Sequence, residues 1–359
     1  MQLIIGSDMK KFNKTFTLPF KSQIPNYVQQ HLDSVSLMKR FLKYIKRHLY
    51  ILLKGQGKLE TFNIIEEQTK ILWINISAPS LGDSLMDLSG RVLLTEKKVD
   101  LFTDINNKHL YENDDFFNNS YTELADLKNN KYDLVIIDSY STRSLKIKSV
   151  VAPDAPYVGM FGYFNGPEVN RILFSFYQMN SLLGDKFDEL QLNNLARNYL
   201  SISTYDRKLI SEITPEKYIA IVLGGEWEYK TYKKWDQLIE KISFQDADLT
   251  FVFIGSRNAT TESKKILAKF PDLKFINLTR RLTFAQSVEV ARCARVLFCC
   301  DGGLFHGASA MSANIIVLLA RLSSEMLLTK NNLARTLYDS NNVNNIPVDC
   351  LLREFNQVL

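Results

Sequence analysis

A chain of 359 residues with 46% apolar side chains is long enough and apolar enough for about two packed domains, which excludes a disordered chain and a small disulfide scaffold. No apolar run approaches the roughly 18 residues of a bilayer span, so a spanning helix is not expected. The net charge of +5 is uneven: residues 1–70 hold 12 Lys+Arg against 5 Asp+Glu, and the remainder 32 against 34, which points to an anionic surface as partner of the N-terminal end and away from a nucleic-acid enzyme throughout.

The opening Met1-Gln2-Leu3-Ile4-Ile5-Gly6 is too short in its apolar part for a secretory signal and soon meets Lys10-Lys11, so a cytoplasmic protein is expected. Residues 1–70 read as a basic helical extension. Within it Leu37, Phe41, Leu42, Ile45, Leu49 and Leu52 recur at three- and four-residue steps among Lys39, Arg40, Lys43, Lys46 and Arg47. That pattern predicts an amphipathic helix over Leu37–Lys54, ended by Gly55-Gln56-Gly57. Three readings are open: the apolar face packs on the body and the charges are solvated, or the helix meets anionic lipid, or it meets nucleic acid.

From Ile71 the pattern changes. Ile71–Ile76 reads as a strand, Ser77–Gly82 as a loop, and a helix is expected from about Asp83, whose carboxylate suits free N–H groups at a helix start. Val99–Thr103, Leu134–Ile137 and the short Val158-Gly159-Met160 read as further strands, the second of these ending in Asp138-Ser139. Residues 165–212 read as mainly helical, with Gly162, Gly166 and Pro167 punctuating the entry, and Glu212–Glu216 is the candidate linker.

The pattern then restarts. Tyr218–Leu223 is a predicted strand, Gly224-Gly225 a turn, Trp235–Ile242 a helix, and Leu249–Ile254 a strand ending at Gly255-Ser256. Thr261–Lys269 reads as helix, Phe275–Leu278 as strand and Phe284–Ala294 as helix. Val296–Cys300 and Ile315–Leu319 are buried strands. Cys293, Cys299, Cys300 and Cys350 show no metal-ligand spacing, so buried reduced thiols and no metal site are expected. Val296–Cys300 runs into Asp301-Gly302-Gly303 and then a small-residue helix carrying His306, an arrangement that aims free backbone N–H groups at an anion. A plain glycine-rich turn is the competing reading. Strand and helix alternate at a spacing that implies right-handed crossovers, so the fold class is α/β with two doubly wound parallel-sheet domains. Their ligands belong at the carboxyl ends of the strands, and a cleft between the two sheets is the expected site.

Taken in order, three blocks resemble glycosyltransferase family 9, the lipopolysaccharide heptosyltransferase family. Ile71–Leu85 resembles the opening strand with its Leu-Gly-Asp turn. Ile219–Leu238 resembles the second-domain strand, Gly loop and Lys/Trp segment. Leu249–Leu319 resembles the Gly-ended strand and the Asp-[Ser/Thr]-Gly-x-x-His-x-x-Ala block. The likeness covers about 71–320 and leaves out the basic extension. It implies a GT-B fold of two Rossmann-like domains across a cleft: an extension over 1–70, an acceptor domain over 71–213 and a nucleotide-sugar domain over 214–359, the last helix reaching back to the N-terminal domain. It further implies inverting, metal-independent transfer of a sugar from a nucleotide donor, usually ADP-heptose, which is a co-substrate; no separate cofactor is expected.

Inversion requires a base for the acceptor hydroxyl. By itself Asp83 reads equally as a helix-capping acid; the resemblance makes it the base, with Asp87 in reserve or as an exposed helix acid. The leaving diphosphate requires positive charge or helix N-termini. Lys230 falls on the family's lysine, with Tyr232 in place of its Trp and Lys233 and Lys234 near enough to compete. Gly302 and Gly303 would cradle phosphate, Asp301 would bond a donor hydroxyl and His306 would meet phosphate or sugar, though a lone His also reads as a core residue. Gly224, Gly225 and Ser256 would line the nucleotide pocket. The departures are Gly302 for Ser or Thr, Tyr232 for Trp, and Leu88-Ser89-Gly90 for Leu-Pro. The expected partners are a nucleotide sugar, a lipopolysaccharide or other glycan acceptor and, through residues 37–54, an anionic membrane at the inner face of the inner membrane, with no nucleic acid. A transferase using another nucleotide sugar or a protein acceptor is the first alternative. An inactive GT-B module that binds a membrane surface or polyanion is the second.

Overall fold

A computed structural model describes residues 36–358 apart from 79, 128–129, 162–169 and 247. The expectations for residues 1–35, and for Gly162, Gly166 and Pro167, lie outside the described residues. The chain divides into two compact units, 1–196 and 197–359. Helices are labelled in chain order as α1 (Leu37–Leu53), α2 (Leu81–Asp87), α3 (Thr142–Val151), α4 (Arg171–Leu182), α5 (Thr204–Ile213), α6 (Trp235–Ser243), α7 (Thr260–Lys269), α8 (Phe284–Cys293), α9 (Gly303–Ala310) and α10 (Val348–Asn356).

The first unit is built on β1 (Lys70–Asn75), β2 (Lys98–Thr103), β3 (Asn119–Tyr121), β4 (Leu134–Ser139) and β5 (Tyr157–Phe161), ordered β3-β2-β1-β4-β5 with every pairing parallel. The inner strands are continuous apolar runs because both faces are covered; Ile71, Leu72, Ile74 and Leu134–Ile137 are wholly buried. Strand order reverses between β1 and β4, and at that edge a parallel sheet opens the crevice that takes ligands.

Residues 37–69 belong to this unit. Ile51 of α1 lies in the same core as Leu72, Ile74 and Tyr157, and the Thr61 N–H donates to the Tyr157 carbonyl at 2.9 Å. The face that α1 packs inward carries Arg47 and Ile51, both buried, with Tyr44 and Tyr50 partly so. The expected apolar-face-inward packing is therefore not what forms: Met38, Leu42, Leu49, Leu52 and Leu53 stand between 51% and 83% exposed.

The second unit is built on β6 (Tyr218–Val222), β7 (Thr250–Ile254), β8 (Phe275–Asn277), β9 (Val296–Cys300), β10 (Ile315–Ala320) and β11 (Arg335–Asp339), ordered β11-β10-β9-β6-β7-β8, again all parallel. Its strand order reverses between β6 and β9. One core joins Phe251, Phe253 and Phe298 to Trp235 and Leu238 of α6 and to Leu351 and Phe355 of α10, so the last helix packs within this unit. Helix α5, placed by sequence on the other side of the linker, falls in this unit too, where Gln286 Nε2 donates to Asp206 Oδ1 at 2.8 Å. Cys299 and Cys300 are buried and burial pushes both thiols up, Cys300 to about 12; Cys293, expected to be buried, is exposed, and Cys350 is half-buried.

Candidate active site

In the first unit the switch point is dressed by two loops. The Asp138 carboxylate, buried at the end of β4, accepts from the Ile76 and Ser77 N–H groups at 2.9 and 2.7 Å through Oδ2, and from the Ser144 hydroxyl at 2.6 Å through Oδ1. It fastens the chain as it leaves β1, because a carboxylate that accepts several N–H bonds replaces the sheet bonds lost at a strand end. The loop then reaches Ser80, whose backbone is extended and whose Oγ accepts from the Asp83 N–H at 3.2 Å. Ser80, not Asp83, is thus the N-cap, and the helix starts at Leu81, two residues earlier than expected. Asp83 sits in the first turn, its side chain 22% exposed, and accepts the Ser80 hydroxyl at 2.7 Å.

Arg171, at the start of α4, bridges the two acids of α2. Its Nε and Nη2 donate to the Asp87 carboxylate at 2.8 and 2.6 Å, and its Nη1 lies 3.2 Å from Asp83 Oδ1. Asp87 is therefore no exposed helix acid. It is buried, and burial pushes its carboxyl up against the pull of Arg171. Sequence reasoning missed Arg171; its one signal is an arginine at the first residue of a helix whose N-cap is Asn170.

In the second unit the loops after β6 and β9 meet across the other switch point. Lys230 Nζ donates to Asp301 Oδ2 at 2.5 Å, and His306 Nε2 lies 3.5 Å from Asp301 Oδ1. Burial raises the Asp301 carboxyl, but the hydrogen bonding and attraction of His306 and Lys230 outweigh it and hold the group down at about 2. His306 is buried, and its Nδ1 has no hydrogen-bond partner among the described residues. Helix α9 starts at Gly303, and among the described residues no side-chain cap bond closes its N-terminus. Gly302, the N-cap, is extended at φ 172°, and a Cβ there would meet nothing within 4 Å, so the position does not require glycine.

Gly224 and Gly225 do require it. Gly224 has φ +80°, and a Cβ would come within 2.7 Å of Asn258 Oδ1. A Cβ on Gly225 would strike the Thr231 hydroxyl. Asn258 Nδ2 donates to the Gly225 carbonyl at 2.8 Å, and Ser256 Oγ donates to Asn258 Oδ1 at 2.8 Å. Ser256 is thus a loop-fastening residue beside the glycines, and Asn258, unnoticed in the sequence, is the fastener. Tyr232 is a core residue whose hydroxyl donates to the Ile346 carbonyl at 3.0 Å; Lys233 and Lys234 turn to Glu228 and to the Asn344 carbonyl, leaving Lys230 as the lysine on Asp301.

A second cation joins this edge. Arg321 follows β10 directly with φ +68°, a conformation a bulky residue adopts only under constraint. Its guanidinium lies 3.8 Å from the centre of the Tyr229 ring, and Lys230 Nζ lies 5.8 Å from the same centre. Trp227, more than half exposed, tilts against Tyr229 at 6.5 Å.

The family model described as glycosyltransferase family 9 (heptosyltransferase) matches residues 169–338, the stretch that contains Arg171, Lys230, Asp301, His306 and Arg321. Through this segment the chain resembles glycosyltransferase family 9. Solved structures share its fold along most of its length. A glycosyl transferase family 9 protein from Veillonella parvula superposes with a TM-score of 0.67 at 12% identity, over 82% of this chain and 98% of that one. E. coli ADP-heptose lipopolysaccharide heptosyltransferase II gives 0.64 at 17% identity, over 81% and 98%. E. coli heptosyltransferase WaaC, solved with ADP, gives 0.63 at 12% identity, over 80% and 100%. No curated protein sequence matches. The fold is that of the GT-B-like heptosyltransferases, and the family's activity is sugar transfer. Among the described residues no helix is long and apolar enough to cross a membrane.

Proposed function

We propose that the protein is an inverting, metal-independent glycosyltransferase that moves a sugar, heptose from ADP-heptose in the first instance, to a lipopolysaccharide core or related lipid-linked glycan at the inner face of the inner membrane. The observation that carries the reading is the Lys230–Asp301–His306 cluster at the β6/β9 switch point beside the uncapped N-terminus of α9. A diphosphate leaving group gains negative charge as its bond to the sugar breaks. Fixed cations and bare N–H groups stabilise that charge without reorganising. Lys230 and Arg321 supply the cations, Asp301 orients Lys230 and His306, and the Gly224–Gly225 turn, fastened by Asn258, keeps backbone rather than side chains at the nucleotide. On the acceptor domain Asp83 takes the hydroxyl proton, so that the alkoxide attacks the anomeric carbon as the C–O bond to the diphosphate breaks on the opposite face. Arg171 orients that base.

Two neighbours support the donor assignment: one E. coli structure is named for ADP-heptose, and another was solved with ADP. The test is release of ADP from ADP-heptose in the presence of a truncated lipopolysaccharide acceptor, with thermal shifts for ADP-, GDP- and UDP-sugars run beside it, because only a cognate donor stabilises the folded state strongly. Stabilisation by a GDP- or UDP-sugar alone replaces the donor. Vesicle or polyanion binding with no nucleotide binding of any kind replaces the enzyme with an inactive module.

A further inference from the structure

We propose that α1 is a lipid-docking helix that lays an apolar ridge into an anionic bilayer surface. Two properties of the same segment carry this. The ridge is Met38, Leu42, Leu49, Leu52 and Leu53, residues that recur at three-, four- and seven-residue steps along one side of the helix and stay more than half exposed. Ordinary surfaces scatter single apolar residues; a helix-long line of them needs an apolar partner. The second property is charge. From Ser34 to Leu59 the sequence carries seven Lys and Arg and no Asp or Glu. Lys39 and Lys46 are exposed on α1, and Lys54 and Lys58 are exposed just beyond its end.

The helix is held by its other side. Ile51 is buried with Leu72 and Ile74 against the first sheet, and Tyr44 and Tyr50 pack against the same core. Docking therefore needs no unfolding: the packed side stays on the domain while the ridge faces outward. Apolar side chains flanked by lysines match the boundary between acyl chains and anionic headgroups, where the leucines enter the hydrocarbon edge and the lysine ammonium groups stay at the phosphates. A polynucleotide would satisfy the lysines and leave the leucines in water. A second copy of this chain would bring the same exposed lysines against themselves. An anionic lipid surface satisfies both halves of the pattern. This deepens the acceptor side of the reading above by naming the surface the enzyme works on, and its test does not depend on sugar transfer.

The full chain is to be sedimented with vesicles of phosphatidylcholine containing 30% phosphatidylglycerol (roughly the anionic content that a polybasic helix reads) and with pure phosphatidylcholine vesicles. Wild type is expected to bind the anionic vesicles, to bind the neutral ones at least about tenfold more weakly, and to lose affinity with salt. The double variant L42E/L49E should bind at least about tenfold more weakly, and K39A/K46A several-fold more weakly, both with unchanged melting temperature because these side chains are exposed. A Leu49→Trp variant should shift its emission to the blue on anionic vesicles. Any of four results overturns the proposal: no vesicle binding by wild type, wild-type binding by L42E/L49E, binding to heparin or RNA in place of vesicles, or a wild-type dimer that L42E/L49E converts to monomer. Turnover on a water-soluble truncated acceptor should be untouched by L42E/L49E. If neither wild type nor variant releases nucleotide while wild type still binds vesicles, the transferase reading fails and the docking helix stands.

Discussion

Arg171 Nη1 lies 3.2 Å from Asp83 Oδ1, so the acid proposed to take the acceptor proton has its own counter-charge built in. The same guanidinium grips Asp87 with two hydrogen bonds, and its aim at Asp83 is fixed by a buried partner. Asp83→Asn should lower turnover by about 10²–10⁴ while nucleotide affinity, measured by calorimetry, stays within about threefold of wild type. Equal turnover in the two proteins would remove Asp83 from the mechanism.

Arg171 is a positioning residue whose loss should show first in stability. Arg171→Met leaves Asp87 buried without its cation and should cost about 3–5 kcal/mol in urea unfolding. Adding Asp87→Leu should recover most of that stability, since the uncompensated charge is gone. Activity should not return in the double variant, because Asp83 still lacks its orienting contact; recovery of both would make Arg171 purely structural.

Lys230→Met should slow sugar transfer by about 10²–10³, in keeping with the loss of one fixed charge at a developing anion. Lys230→Arg should retain part of the rate. Lys233→Met, whose ammonium turns to Glu228, should leave the rate within about twofold of wild type, and steady-state kinetics on the three variants separates them.

Asp301 links the site to acid stability. Its folded carboxyl is held at about 2 against an ordinary value of 3.8. A depressed acid stabilises the fold in full above its unfolded value and loses that contribution as pH falls through the folded one. Between about pH 4 and pH 2 this contribution, about 2 kcal/mol, should disappear. Asp301→Asn should be less stable at pH 7 and show a shallower decline over that interval in chemical denaturation.

Two glycine substitutions should act in opposite ways from intuition. Arg321→Gly removes a side chain yet relieves a φ of +68°, so it should raise stability by up to about 1 kcal/mol while weakening ADP binding several-fold. Gly302→Ser fills open space in an extended backbone, so stability should hold within about 0.5 kcal/mol. The restored hydroxyl should tighten ADP binding. Thermal melts and calorimetry on the two proteins read both effects.

Most of the sheet was legible because buried parallel strands are continuous apolar runs; Ile71–Ile76, Leu134–Ile137 and Val296–Cys300 announce themselves. The edge strands Asn119–Tyr121 and Arg335–Asp339 did not, since an edge is half solvated and Asn-Ser-Tyr or Arg-Thr-Leu-Tyr-Asp reads as loop. Lys230, Asp301 and His306 were legible as ordered motif residues, and the fold brings those three together. Arg171, Asn258 and Arg321 were not, because each works through a partner far away in sequence: Asp83 and Asp87, Gly225, and Tyr229. The packing of α1 was left open for a related reason. Periodicity locates an apolar stripe but does not say whether that stripe or the opposite side meets the domain.

The Lys230–Asp301 pair also sets a threshold for whatever anion comes to this edge. An ammonium already neutralised by a carboxylate is released only to a competitor that offers more than one negative charge at once. Chloride or a lone carboxylate gains too little to displace Asp301, whereas a multiply charged phosphate chain compensates Lys230 and reaches neighbouring N–H groups in the same step. Selectivity for polyvalent anions would then come from an internal rival and not from a tighter pocket.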